Sequence, residues 1–103
     1  MWPFRKKRSR QAETLAIIDE AIVFAADRWH FFSRSVAVTP DMDLRERIAL
    51  FARSLEASLH SRHPELAAAP DEVIVLIVAK GVEQAGTAPR HEIERALGIL
   101  LPP

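Results

Sequence analysis

The stretch that most constrains this chain is residues 12–32. It runs without proline or glycine and holds four of the seven aromatic residues. Leu15, Ile18, Ile22, Ala25, Trp29 and Phe32 step by three and four, which puts them on one face of a helix. Ile17, Ala21, Phe24 and Phe31 widen that face, while Asp19, Glu20, Val23, Asp27, His30 and Arg34 fall mostly opposite and read as the wet strip. A helix from about Ala12 to Ser33 would be roughly 33 Å long. Three or four further segments are expected to pack against it, which makes it the expected centre of the fold.

The remaining chain is divided by its prolines. Ser33–Val38 reads as a connector in which Val36 and Val38 alternate as a short extended piece. Two starts compete for the second helix. Thr39 can cap with Pro40 in the first position, or Asp43 can form a capping box with Glu46. Leu44, Ile48, Phe51, Leu55 and Leu59 then form a buried stripe, with Leu50 and Ala52 beside it, and the helix should end at His60–Arg62 ahead of Pro64. Residues 63–70 are a connector with room for one helical turn.

Residues 71–86 carry conflicting signals. The β-branched run Val73–Val78 has the length of a buried strand. Yet Pro70 followed by two acids is a helix start, Gly86 is placed as a helix terminator, and Ile74, Ile77, Val78, Gly81, Val82 and Ala85 keep helical spacing. No other segment offers a strand partner, so a buried helix is the preferred reading. Gly81 is then either a close-packing point or a weak spot of about 1 kcal/mol. In the last segment Thr87 is expected to cap, Pro89 to sit in the first turn, and Ile93, Ala96, Leu97 and Leu100 to be buried before Pro102 and Pro103 stop the helix. The expected fold class is all-α. It is a compact bundle of about four helices forming one domain over residues 11–103, with a small α+β fold containing a 73–78 strand as the alternative.

Charge separates the first ten residues from the rest. Arg5, Lys6, Lys7, Arg8 and Arg10 put five cations and no anion there, whereas the remaining chain carries nine basic and fourteen acidic residues, a balance of minus five. The body should therefore not attract nucleic acid as a whole. Pro3 and the like-charge cluster make residues 1–10 an expected disordered basic tail. Trp2 and Phe4 could enter a membrane interface while the five cations meet anionic lipid, or the cations could contact nucleic-acid phosphates. The longest apolar runs, Val73–Ala79 and Ala21–Ala26, fall far short of the roughly 20 residues that span a bilayer. No export segment is read, so a cytoplasmic location is expected. Arginine outnumbers lysine eleven to three, which fits a GC-rich bacterial genome.

Chemistry finds little support. The absence of cysteine excludes disulfides, thiolate catalysis and cysteine-ligated zinc. His60, His63 and Glu65 are the nearest approach to a metal set, but Pro64 breaks the helix between them and a fourth ligand is lacking. The pairs His91–Glu92 and Asp27–His30 lack a nucleophile, no serine sits on a glycine-flanked turn, and the three glycines are too isolated to cradle phosphate. No catalytic, cofactor-binding or metal-binding residue is expected, and the chain reads as a non-enzyme.

Residues Arg90–Ile99 resemble the first helix and turn of a helix-turn-helix DNA-binding unit. Only Leu100–Pro103 follow, which is too short for a recognition helix. Taking Arg90–Leu101 itself as the recognition helix would turn Glu92 and Glu94 toward phosphates.

The function expected on these grounds is binding of another macromolecule, as a protein-interaction or regulatory adaptor that can include self-association as a homodimer. The aromatic C-terminal half of helix one, with Phe24, Trp29, Phe31 and Phe32, is the expected partner-binding surface. Peripheral membrane or nucleic-acid association through residues 1–10 is the alternative.

Overall fold

A computed structural model describes the backbone of residues 3–35 and 37–102 and the side chains of residues 13–35 and 37–102. The helices are α1 (Pro3–Phe32), α2 (Leu44–Arg62), α3 (Asp71–Ala85) and α4 (Arg90–Leu97), with a 3-10 turn over Pro64–Ala68 between α2 and α3. Among the described residues there is no strand, and the Val73–Val78 run lies inside α3. The side chains of the expected basic tail, Trp2 and Phe4 included, lie outside the described residues, as does Val36.

The helix ends follow local chemistry. Of the two competing starts for α2, the capping box wins. The Asp43 side chain accepts from the Glu46 backbone N–H at 2.8 Å and the Glu46 side chain returns to the Asp43 N–H. Thr39 instead donates its hydroxyl to Asp41 within the preceding turn. Thr87 does not cap α4 either; Pro89 is the N-cap residue, and its carbonyl accepts from Glu92 and Ile93. Helix α4 is also shorter than expected. Gly98 takes a left-handed conformation (φ 67°), a geometry costly for other residues, and stops the helix before Pro102 is reached. Leu100 consequently leaves the helical register and is 87% exposed, whereas Leu101 is buried.

Helix α3 is the most enclosed element. Ile77, Val78 and Ala79 are all buried in sequence, with Gly81 and Val82 after them, so both flanks of its second half are covered. Its principal neighbour is α1. The two helices meet through small residues. A Cβ added at Gly81 would stand 2.6 Å from the Ala25 Cβ and 3.1 Å from the Ala26 backbone nitrogen, closer than side chains pack. Ala21 and Ala25 are fully buried at this seam. Gly81 is thus a close-packing point.

This geometry corrects the expectation that α1 is the centre. At about 1.5 Å per residue α3 is only about half as long as α1, so it covers one half of it. Residues 13–16 are all exposed, and Leu15 is 64% exposed despite its place on the helical stripe. The core belongs to Ala21, Ala25 and Trp29 of α1, the Ile48–Phe51–Leu55–Leu59 stripe of α2, the middle of α3, and Ile93 of α4.

The far side of α4 is held by polar contacts. Arg90 donates from Nε to Glu83 Oε2 at 2.9 Å, and Leu101 N–H donates to Glu94 Oε2 at 2.7 Å. Lys80 reaches the Pro102 carbonyl. Leu101 and Pro102 are thereby strapped across α3 and α4.

Candidate functional site

The four aromatic residues expected to form a binding surface are separated by the fold. Trp29 is fully buried: its ring lies edge-on to Phe51 at 5.1 Å and stacks with Phe32 at 5.9 Å, and its indole N–H donates to the Thr87 hydroxyl at 2.8 Å. With its polar atom satisfied and its faces covered, Trp29 is a core residue and presents no surface. Phe24 and Phe32 are half-buried, and Phe31 is 72% exposed. The surface that remains is made by Phe24, Phe31 and the outer edge of Phe32.

That surface is one wall of a groove between α1 and α2. The helices run antiparallel: Phe32, at the end of α1, packs on Phe51 near the middle of α2 at 5.2 Å, while Phe24 lies beside Arg62 at the α2 C-terminus. On α1, Phe24, Arg28 and Phe31 step by four and three and share a face; on α2, Ser54, Ser58 and Ser61 do the same. The helices touch sparsely along this line, and three adjoining depressions fill the gap. One of about 440 Å³ is bordered by Asp19, Glu20, Asp27, Phe24 and Arg62. The next, about 510 Å³, shares Phe24 and Arg62 and adds Arg28, Ser58 and Ser61. The third, about 290 Å³, shares Arg28 and Ser58 and is floored by Phe32, Phe51 and Leu55 with Phe31 on its rim.

The groove has an order of charge. Acids mark one end, two arginines the middle, and aromatic and aliphatic carbon the other end. The guanidinium carbons of Arg28 and Arg62 lie 5.1 Å and 5.0 Å from the centroid of the Phe24 ring, within cation–π range for both. Among the described residues neither guanidinium forms a salt bridge with a carboxylate. No carboxylate lines the second and third depressions.

The histidines expected as the nearest metal set are not assembled with Glu65. His63 is buried at the C-cap of α2 and its Nε2 has no hydrogen-bond partner, while Glu65 is exposed on the 3-10 turn. Among the described residues no group of three or more His, Asp or Glu side chains is placed to hold a metal ion. No helix among them is long and apolar enough to cross a membrane. In the segment that resembles a helix-turn-helix unit, Ile93 is buried, and Arg90 and Glu94 are engaged with Glu83 and Leu101.

Phe24, Phe31 and Phe32 of this groove were named from the sequence as candidate contacts; Arg28, Arg62 and the serines were not. The four- and three-residue spacing of Ser54, Ser58 and Ser61 was a readable signal of a small polar face. That Arg62 meets Phe24 was not readable, since it depends on how α2 crosses α1. Comparison with known proteins found no matching family model, no similar curated protein and no similar solved structure.

Proposed function

We propose that this chain performs no chemistry and acts by binding another protein in the groove between α1 and α2. The observation that carries this reading is Phe31, a large aromatic side chain 72% exposed beside half-buried Phe32 at the apolar end of the groove. An aromatic left largely in water next to a preformed depression is an anchor for a partner side chain. Self-association is one form of the same reading, with a second copy as the partner.

A photo-crosslinking side chain at position 31, in cells that make the protein, tests this directly. A discrete crosslinked species from position 31, absent when the same group is placed at Arg95 on α4, supports groove binding. Its mass separates a second copy from a different protein. Equal labelling from both positions, or none from position 31, rules the reading out. Repeating the experiment without residues 1–10 distinguishes the groove from contacts made by the basic N-terminal residues.

A further inference from the structure

Resting on that reading, we infer that the groove takes an amphipathic helical segment of a partner protein bearing carboxylates, with Arg28 and Arg62 as the receiving cations and Phe31 as the apolar contact. Charge favours such a partner. Outside residues 1–10 the chain has a balance of minus five, yet this half of the groove presents two guanidinium groups and no carboxylate. Both cations lie about 5 Å from the Phe24 ring and, among the described residues, neither forms an ion pair; Arg62 also borders the depression lined by Asp19, Glu20 and Asp27. A carboxylate entering there forms charge-assisted hydrogen bonds that a planar guanidinium can donate in pairs.

The shape of the groove favours a helix. Two antiparallel helices that touch sparsely leave a trough whose natural occupant is a third helix. Along the α2 wall the exposed positions are small: Ser54, Ala57, Ser58 and Ser61 let an incoming backbone approach closely. Phe24 and Phe31 are seven residues apart on α1, about 10 Å or two helical turns. A partner helix lying along the trough would therefore place its acid roughly two turns from its apolar anchor. The acidic end of the groove, with Asp19, Glu20 and Asp27, would repel a carboxylate placed there and so sets the direction in which the segment lies.

The test is selection of a displayed library of random peptides, each about five helical turns or roughly 18 residues, on the immobilised full-length protein. Enrichment of Asp or Glu about two turns from Leu, Phe or Ile is the expected result. Selected peptides should bind the R28E/R62E variant at least about tenfold more weakly and the F31S variant similarly, with R95E unchanged. Unaltered thermal melting of R28E/R62E excludes misfolding as the cause, and R28K/R62K should retain part of the affinity. Peptides lost with F31S but lacking acidic enrichment, or indifferent to R28E/R62E, would overturn the charge assignment while leaving groove binding intact. A selection that yields only peptides indifferent to F31S, or none, overturns the inference; groove binding itself is then judged by the crosslink at position 31. Association with phosphatidylserine vesicles that R28E/R62E abolishes and acidic peptides fail to compete would assign the cations to a membrane and also overturn it.

Discussion

Gly81 on α3 lies against Ala25 on α1 so closely that a Cβ at residue 81 would stand 2.6 Å from the Ala25 methyl carbon. The missing side chain at one position and the methyl at the other set how near the two helices approach. Because the next nearest atoms are the backbone nitrogen of Ala26 and the carbonyl carbon of Ala25, rotamer changes cannot relieve the overlap. Gly81→Ala should therefore destabilise the fold by about 1–3 kcal/mol from overpacking, set against about 1 kcal/mol gained in helix propensity. Urea denaturation would measure the net loss. The double variant A25G/G81A should recover part of it, and equal stability of G81A and wild type would show that the helices separate freely.

Trp29 carries a second, independent tie. Its indole N–H is buried and has the Thr87 hydroxyl as its acceptor, which binds the end of α1 to the turn before α4. Thr87→Val keeps the shape and removes the acceptor, at an expected cost of about 1–3 kcal/mol. Trp29→Ala removes a large side chain from the core and should cost about 3–5 kcal/mol. That is a large share of the roughly 5–15 kcal/mol that holds a domain together, so near-loss of cooperative melting is expected.

Phe31 should behave oppositely. With most of its surface in water, Phe31→Ser should change stability by no more than about 0.5 kcal/mol, whereas Phe51→Ala, in the core beneath it, should cost about 3–5 kcal/mol. Calorimetry on the two variants separates the exposed aromatic from the structural one. A large loss from F31S would place Phe31 in the fold's own packing.

The Lys80–Glu83–Arg90 cluster gives a dependence on pH. The hydrogen bonds from Arg90, with Lys80 adding to them, hold the Glu83 carboxyl below its ordinary value of 4.5 against the opposing effect of partial burial. A depressed folded pKa means that the carboxylate's contribution is fully present above about pH 4.5 and is lost as pH falls through the lower folded value. Glu83→Gln should accordingly destabilise at pH 7 and make progressively less difference on acidification below pH 4.5. Paired unfolding curves at neutral and acid pH check this. A gap between variant and wild type that does not narrow would remove Glu83 from the acid response.

Much of the helical architecture was legible because it rests on local rules. The Ile48–Phe51–Leu55–Leu59 stripe, the reciprocal Asp43–Glu46 cap and the Gly86 stop are each written within one or two turns of chain. Even the contested run Val73–Val78 had its answer in the flanking Pro70, Asp71 and Glu72. The end of α4 was misjudged because Gly98 competes with Pro102 as the terminator, and a glycine one turn earlier acts first. The candidate site was only half visible. Phe31 was picked out by its aromatic character, but Trp29 shared that character and is buried.

What separates those two rings is tertiary. Side-chain chemistry and spacing determined that α1 has an apolar face, that the chain is helical, and roughly where α2, α3 and α4 begin, whereas the backbone of α1 begins at Pro3, nine residues before the expected start at Ala12. They could not determine which part of that face is covered, because coverage depends on the length and crossing of the helices that meet it. Gly81 draws α3 onto Ala25, Phe51 of α2 closes over Trp29, and Thr87 takes the indole proton. The same crossing brings Arg62 to Phe24 and leaves Phe31 in water. Burial is a property of pairs of segments, and one segment's periodicity specifies only which of its residues are able to be buried.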